Sequence, residues 1–294
     1  MTDLVSIAGS AVAAYQRALG TVANNIANVD SAGYTRQEAG LIENAPRSYG
    51  TSYLGTGVNV TGIKRLYDAF IENSLRNANT ELGTQGPLVN YANRVVDIMG
   101  NEEVGLLSAF DQFFDSARQL ATDSSSIILR AQFISKAEAL ASRFQGLNTQ
   151  LNLVAQETAE ALKSETDSLN SLSEQLALVN AQLGKTKIIE RQPPAIMDQR
   201  DEILRQMAAL AKIQVTERSN GQVTVSIGAS SSGGEIVNGD TFRPVTAVMS
   251  PSSVGKVDLV IDAASPRAEA VFGFSGGSIS GLMNFRSQLL AQAV

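Results

Sequence analysis

The stretch that most limits what this chain can fold into lies between Pro87 and Pro193, where no proline occurs. Leu140, Phe144, Leu147, Leu151 and Val154 recur at steps of three and four, one face of a helix. Leu169, Leu172, Leu176, Val179 and Leu183 repeat that spacing, displaced by one residue in phase. The change falls within Thr158–Glu165, where the seam positions turn polar. It reads as a stutter in one long helix, with a hidden turn as the alternative. Asp123-Ser124-Ser125-Ser126 supplies an N-cap. A helix from about Ile127 to Leu183 spans roughly 85 Å at about 1.5 Å per residue. A compact globule has no room for it, so the spacing predicts a rod.

The flanks extend that rod. Helix is predicted to begin near Arg65, with Ile71, Leu75, Ala78 and Leu82 as its stripe. Gly83, Gly86 and Pro87 read as punctuation. Leu88, Ala92, Val95 and Met99 resume the stripe, a break or kink falls between Gly100 and Gly105, and Leu106, Phe110, Phe113, Ala117 and Leu120 continue beyond it. Pro193-Pro194 stops the rod, and residues 195–211 form a further helix. Its Asp198, Arg200, Asp201 and Arg205 read as a salt-linked helix surface, Asp198 beside Asp201 and Asp201 beside Arg205, rather than as a catalytic cluster.

From Lys212 the period becomes two. Val215 and Glu217, then Val223, Val225 and Ile227, flank Asn220-Gly221, a hairpin signal. Short strands follow around Ile236-Val237, Val245–Met249 and Val257–Ile261, with a loop at Ser230–Gly234. Gly276-Gly277-Ser278 leads to a last helix, about Ile279 to Ala293, striped by Leu282, Phe285, Leu289 and Ala293.

The N-terminal helix is of another kind. Val5, Val12, Leu19 and Ile26 stand seven apart, and Ala8, Tyr15, Val22 and Val29 three further on, a heptad seam. Between Leu4 and Val29 there is one charge, Arg17, and the other faces are Gly, Ser, Ala and Asn. A solvated helix normally carries Lys and Glu there. Small uncharged faces suit a helix packed among others that come from elsewhere. Gln16, Arg17 and the Asn cluster break any membrane span of about 20 apolar residues. The Met1-Thr2-Asp3 start lacks the basic residues of a signal peptide. Gly33 is a candidate left-handed residue beyond the helix end. Residues 35–64 read as an extended or hairpin excursion in which Gly55-x-Gly57 is a turn rather than a phosphate loop.

Composition removes most chemistry. The 294 residues contain no Cys and no His, so the usual zinc ligands, Cys nucleophiles and the commonest general base are absent. A net charge of −6 argues against a phosphate-binding surface. The reading is no enzyme, no cofactor, no metal, no nucleic acid and no membrane.

Asn24-Asn25-Ile26-Ala27-Asn28 followed by Gly33-Tyr34-Thr35-Arg36-Gln37 resembles the N-terminal signature of the bacterial flagellar rod, hook and hook-associated proteins. Gly55-Thr56-Gly57-Val58-Asn59-Val60, Ile63-Lys64-Arg65-Leu66-Tyr67-Asp68-Ala69-Phe70-Ile71, Asp198-Gln199-Arg200-Asp201-Glu202-Ile203-Leu204 and Gly281-Leu282-Met283-Asn284-Phe285-Arg286-Ser287-Gln288 are similar, in order, to its hook-associated branch at the hook–filament junction. The resemblance covers essentially the whole chain. It implies an extracellular structural subunit, exported without a cleaved signal through the flagellar type III apparatus. Its partners would be the hook protein, a second junction protein and further copies of itself in a ring. Family members continue further and close with a C-terminal helix that pairs with the N-terminal one, so this chain is expected to be a piece of a longer one. A rod or hook subunit is the nearer alternative. An enzyme domain on a flagellar scaffold is the alternative of another class.

The expected fold is mainly α, an elongated antiparallel helix bundle with an N-terminal coiled-coil assembly helix and a small β subdomain. The divisions are 1–35 assembly helix, 36–64 excursion, 65–211 rod, 212–275 β region and 276–294 a further helix. The expected assembly contacts are Val5, Val12, Tyr15, Leu19, Val22, Asn25, Ile26, Asn28, Gly33, Tyr34 and Arg36.

Overall fold

The computed structural model describes residues 2–100, 106–229, 234–249 and 256–290. The longest element is α4, Ile127–Leu183, unbroken through the polar stretch. Ser126 caps it, its hydroxyl accepting from the Leu129 N–H at 3.4 Å. Its buried positions run Leu151, Val154, Thr158, Leu162, Thr166, Leu169, Ser173, Leu176, Asn180 and Leu183. Three successive steps of four, from Val154 to Thr166, replace the alternation of three and four, which is the stutter. The buried hydroxyls of Thr158, Thr166 and Ser173 donate back to the carbonyls four residues earlier, at 2.7 to 2.9 Å, so none is left unpaired. Leu172 lies half-buried beside this row rather than in it.

Helix α2, Ala69–Gly100, and α5, Pro194–Leu210, pack on the buried half of α4. Two expectations fail here. The first helix of the rod starts at Ala69, not near Arg65, because Arg65 is still a rung of the preceding strand, paired with Gln37. Asp68 then caps α2, its carboxylate accepting from the Phe70 and Ile71 N–H groups. Gly83, Gly86 and Pro87 do not punctuate the chain, since α2 runs straight through them. Gly83 is the reason the helix holds its course. A Cβ there would lie 2.1 Å from the Ala209 carbonyl oxygen, so the glycine lets α2 and α5 approach backbone to backbone. That packing offsets the hydrogen bond lost at Pro87.

Helix α3, Leu106–Thr122, pairs with the first part of α4 through Phe110, Phe113, Phe133 and Phe144. The predicted break between Gly100 and Gly105 falls largely outside the described residues, as does most of the predicted loop at Ser230–Gly234. Helix α6, Gly277–Asn284, passes into a π-helical turn at Phe285–Leu290. That wider turn puts Leu290, a residue outside the predicted stripe, into a second core with Val154 and Phe285. Ala293 lies outside the described residues. Arg286 in this turn is buried and donates to the Ala155 carbonyl at 2.5 Å and Thr158 Oγ1 at 2.7 Å. Burial depresses its pKa.

The strands fall in two stretches of the chain. Strands β1 (Gln37–Glu43) and β4 (Val58–Arg65) form an antiparallel ribbon. The hairpin β2 (Arg47–Tyr49) and β3 (Ser52–Leu54) lies between them in sequence. Beyond α5, β5 (Ile213–Glu217), β6 (Val223–Ile227), β7 (Glu235–Asn238) and β8 (Thr241–Phe242) make one antiparallel sheet in sequence order. The β5–β6 hairpin turns at Asn220-Gly221, with Gly221 at φ +85°. Strands β9 (Val245–Met249), β10 (Val257–Ile261) and β11 (Glu269–Ala270) make a second, in the order β11-β10-β9. Both sheets share the main core with α4, α5 and α6. Asn180, fully buried on α4, pins the first sheet by donating to the Val223 and Gly239 carbonyls and accepting from the Val223 N–H.

Candidate assembly interface

The N-terminal helix α1, Thr2–Ala27, is turned inside out relative to an ordinary surface helix. Its buried or half-buried positions are Ile7, Ser10, Ala11, Ala14, Ala18, Thr21 and Asn25, with Ala14 at 3% and Thr21 at 5% exposure. These mostly small residues lie at steps of three and four and include the positions facing the β1–β4 ribbon. The approach there is close. A Cβ on Gly57 would lie 2.3 Å from Ser10 Oγ, and the Val58 N–H donates to that hydroxyl at 3.3 Å.

The heptad seam is left on the opposite side. Val5, Val12, Leu19 and Ile26 are 57–73% exposed, and Tyr15 and Val22 at least half exposed. Leu4 and Val29 extend the stripe at both ends. An aligned row of such exposed apolar side chains marks an interaction surface.

The remaining expected contacts gather below the helix end. Asn25 Oδ1 accepts from the Gln37 N–H at 2.9 Å and from the Tyr34 hydroxyl at 2.8 Å, while its amide donates to the Gln37 carbonyl at 2.8 Å. Asn24 donates to the Tyr34 hydroxyl, and Asn28 donates back to the Asn24 carbonyl. Asn25, Asn28 and Tyr34 therefore hold the turn and the ribbon onto α1. Gly33 has φ +78°, the left-handed conformation expected of it. A Cβ there would stand 3.3 Å from Glu202 Oε2 and 3.4 Å from Glu202 Cβ, so the turn rests against α5. Arg36 is exposed and contributes its carbonyl, which accepts from the Leu66 N–H at 2.8 Å.

A buried charge hub beside this turn replaces the predicted salt-linked surface on α5. Asp198, Arg200 and Asp201 are buried, Asp201 completely. Arg65, the last residue of β4, reaches both carboxylates: Nη2 donates to Asp201 Oδ2 at 2.5 Å, and Nε lies 2.8 Å from Asp198 Oδ1, an ionic contact outside hydrogen-bond geometry. The Thr35 N–H donates to Asp198 Oδ2 at 3.3 Å. Arg200 holds the other oxygen of Asp201 and reaches on to Glu217 and the Gly221 carbonyl. Burial opposes the Arg200 charge, but Asp201 and Glu217 outweigh it and hold the guanidinium above its ordinary pKa. Burial, then the Asp201 charge, push the Tyr67 hydroxyl up. Arg205 pairs with Glu72 and Glu202, not with Asp201. The surface reading failed because spacing along one helix does not show that a strand end lies across it. The signal was divided between two distant blocks, Ile63–Ile71 and Asp198–Leu204.

Among the described residues no group of three carboxylates could hold a metal ion, and no helix is long and apolar enough to cross a membrane. The geometry is that of a helical rod with a small β region, joined to an apolar helix whose seam is exposed among the described residues. The profile of the flagellar hook-associated protein FlgK helical domain matches residues 92–294, and that of the flagella basal body rod protein matches residues 6–35. The chain belongs to the flagellar hook-associated protein FlgK family. It is 28% identical to flagellar hook-associated protein 1 of Salmonella typhimurium over 99% of this chain and 53% of that protein. It is 27% identical to the Escherichia coli K12 protein of that name over 99% of this chain and 54% of that one. The chain thus spans about half the length of these relatives. The solved flagellar hook junction protein FlgK from Burkholderia pseudomallei superposes with a TM-score of 0.60 at 25% identity, covering 74% of this chain and 39% of that one.

Proposed function

We propose that this chain is a structural subunit of the flagellum at the hook–filament junction, assembled by packing of α1 and without catalytic activity. The observation that carries the reading is the inverted helix. A seam of Val5, Val12, Leu19 and Ile26 left in water adds little to the stability of an isolated subunit, and burial against neighbouring helices would contribute about 25 cal/mol per Å² of apolar surface. On this reading residues 1–35 are the assembly segment, 36–64 its supporting ribbon, 65–211 the rod and 212–275 an outer β region. The subunits form a ring on the hook, meet a second junction protein on the filament side, and reach the cell exterior through the flagellar type III apparatus. Val5, Val12, Tyr15, Leu19, Val22 and Ile26 supply the buried surface. Asn25, Asn28, Gly33, Tyr34 and Arg36 shape the turn that follows the helix and the contact it makes.

The experiment is complementation of a strain lacking its junction protein with the full-length protein carrying Val12→Asp and Leu19→Asp. The expected result is loss of the protein from hook tips and filament monomers released to the medium, with the purified variant folded by circular dichroism. Normal incorporation of the double variant would refute the reading.

A further inference from the structure

Residues 2–65 form one unit, α1 on its ribbon, tied by Asn25, Ser10 and the close approach at Gly57. The rod is another unit with its own apolar cores. Neither core of the described residues draws a member from residues 2–87. Among the described residues, no buried apolar cluster spans the two units. At the meeting place there is a cavity of about 370 Å³, with Ile63 and Tyr67 on one wall and Ile189, Pro194 and Met197 on the other. The chain crosses the joint once, at Arg65–Asp68, and the turn at Gly33–Thr35 touches α5 beside it.

The buried fastening between the units is Arg65, seated between Asp198 and Asp201, with Thr35 on the same Asp198 carboxylate. We infer that the joint is a hinge and that Arg65 on Asp198 and Asp201 is its lock. A close-packed interface resists rotation because every displacement opens voids or makes clashes. An interface with a cavity and no core has no such resistance, so its orientation is set by the geometry of its polar contacts. The charge-assisted hydrogen bond from Arg65 to Asp201 is well suited to that, because such bonds are short and directional, and the ionic contact with Asp198 adds to its hold. Asp201 passes the constraint on. One of its oxygens takes Arg65 and the other takes Arg200, which is anchored on Glu217 and the Gly221 carbonyl of the β5–β6 hairpin. The lock thus ties the strand end, α5 and the β region to one carboxylate. With the lock open, both units keep their folds and the assembly helix re-aims. A subunit that meets two different lattices has a use for such a joint, a use that rests on the junction reading; the hinge itself does not.

The chain has no cysteine, so a pair of spin labels can be placed without background. Asn59→Cys with Glu174→Cys spans the joint, and Asn148→Cys with Glu174→Cys lies within α4 as a control. Distances are measured by pulsed electron resonance on the isolated chain, outside any flagellum. The expected result is a narrow distribution across the joint that broadens about twofold or more in Arg65→Gln, as for a released hinge, with the α4 distribution unchanged. Arg65→Lys, which keeps the charge but not the fork, gives an intermediate width. An unchanged width across the joint in Arg65→Gln overturns the inference, and so does a broad one in the parent chain. Broadening of the α4 pair would assign the hub to rod folding and also overturn it. Should Arg65→Gln fail to fold, the decision passes to Arg65→Lys, where an unchanged width is the contrary result.

Discussion

Two helices in this molecule carry heptad seams, and they are used in opposite ways. From Leu151 to Leu183, α4 turns its seam inward, and Leu162, Leu169, Leu176 and Leu183 are fully buried against α5, α6 and the sheets. Helix α1 turns its seam outward and buries its small residues instead. The difference teaches that an apolar period fixes which face of a helix wants a partner, not where that partner comes from. The clue lies in the other faces. Around the buried half of α4 they carry Glu157, Glu160, Lys163, Asp167 and Glu174, the solvated side of a bundle helix. Around α1 they carry Ser, Ala, Gly and Asn, which allow close backbone approach on more than one side.

The comparison makes predictions of decreasing size. Leu176→Asp should lower the stability of the chain by on the order of 3–5 kcal/mol, because a carboxylate enters a dry core without a partner. Val12→Asp, the same chemistry on the exposed seam, should cost no more than about 0.5 kcal/mol. Urea unfolding of the two variants measures this, and similar losses would mean that the seam of α1 is buried in the free subunit. Gly33→Val should cost about 1–2 kcal/mol, since a β-branched residue is strained at φ +78° and its Cβ presses on Glu202. The loss should appear in the N-terminal unit by hydrogen exchange while α4 and α5 keep their protection. Equal loss of protection in α5 would show that the turn supports the rod. Glu165→Ala, in the polar stretch of the stutter, removes a carboxylate that accepts from Ser278 Oγ at 2.9 Å. It should cost about 0.5–1 kcal/mol, the value of one half-buried hydrogen bond. A loss matching that of Leu176→Asp would show that the polar stretch is as tightly packed as the seam.

Much of the fold was legible because the signals for it are local. The bounds of α4 follow from Ser126, the absence of proline and an apolar period that continues to Leu183. The β5–β6 hairpin follows from Asn220-Gly221 between alternating strands. The helix continuing through Gly83, Gly86 and Pro87 was illegible because Gly83 serves α5, more than a hundred residues away. The π turn after Asn284 was hidden for a similar reason: only the packing of Phe285 and Leu290 around Val154 calls for it. The apolar part of the candidate interface could be read from Val5 to Ile26. The charge hub could not, because Arg65 and Asp201 carry no mutual signal until a strand end is laid over α5.

The central claim is that the α1 seam is open in the free subunit and covered in the flagellum. In a chain without cysteine, single replacements at Val12, Leu19 and Ile26 report this directly through their reaction with a maleimide. The account predicts rapid labelling of all three in the free full-length protein and strong protection of all three in intact hook-tip assemblies. Equal labelling in both states would contradict it.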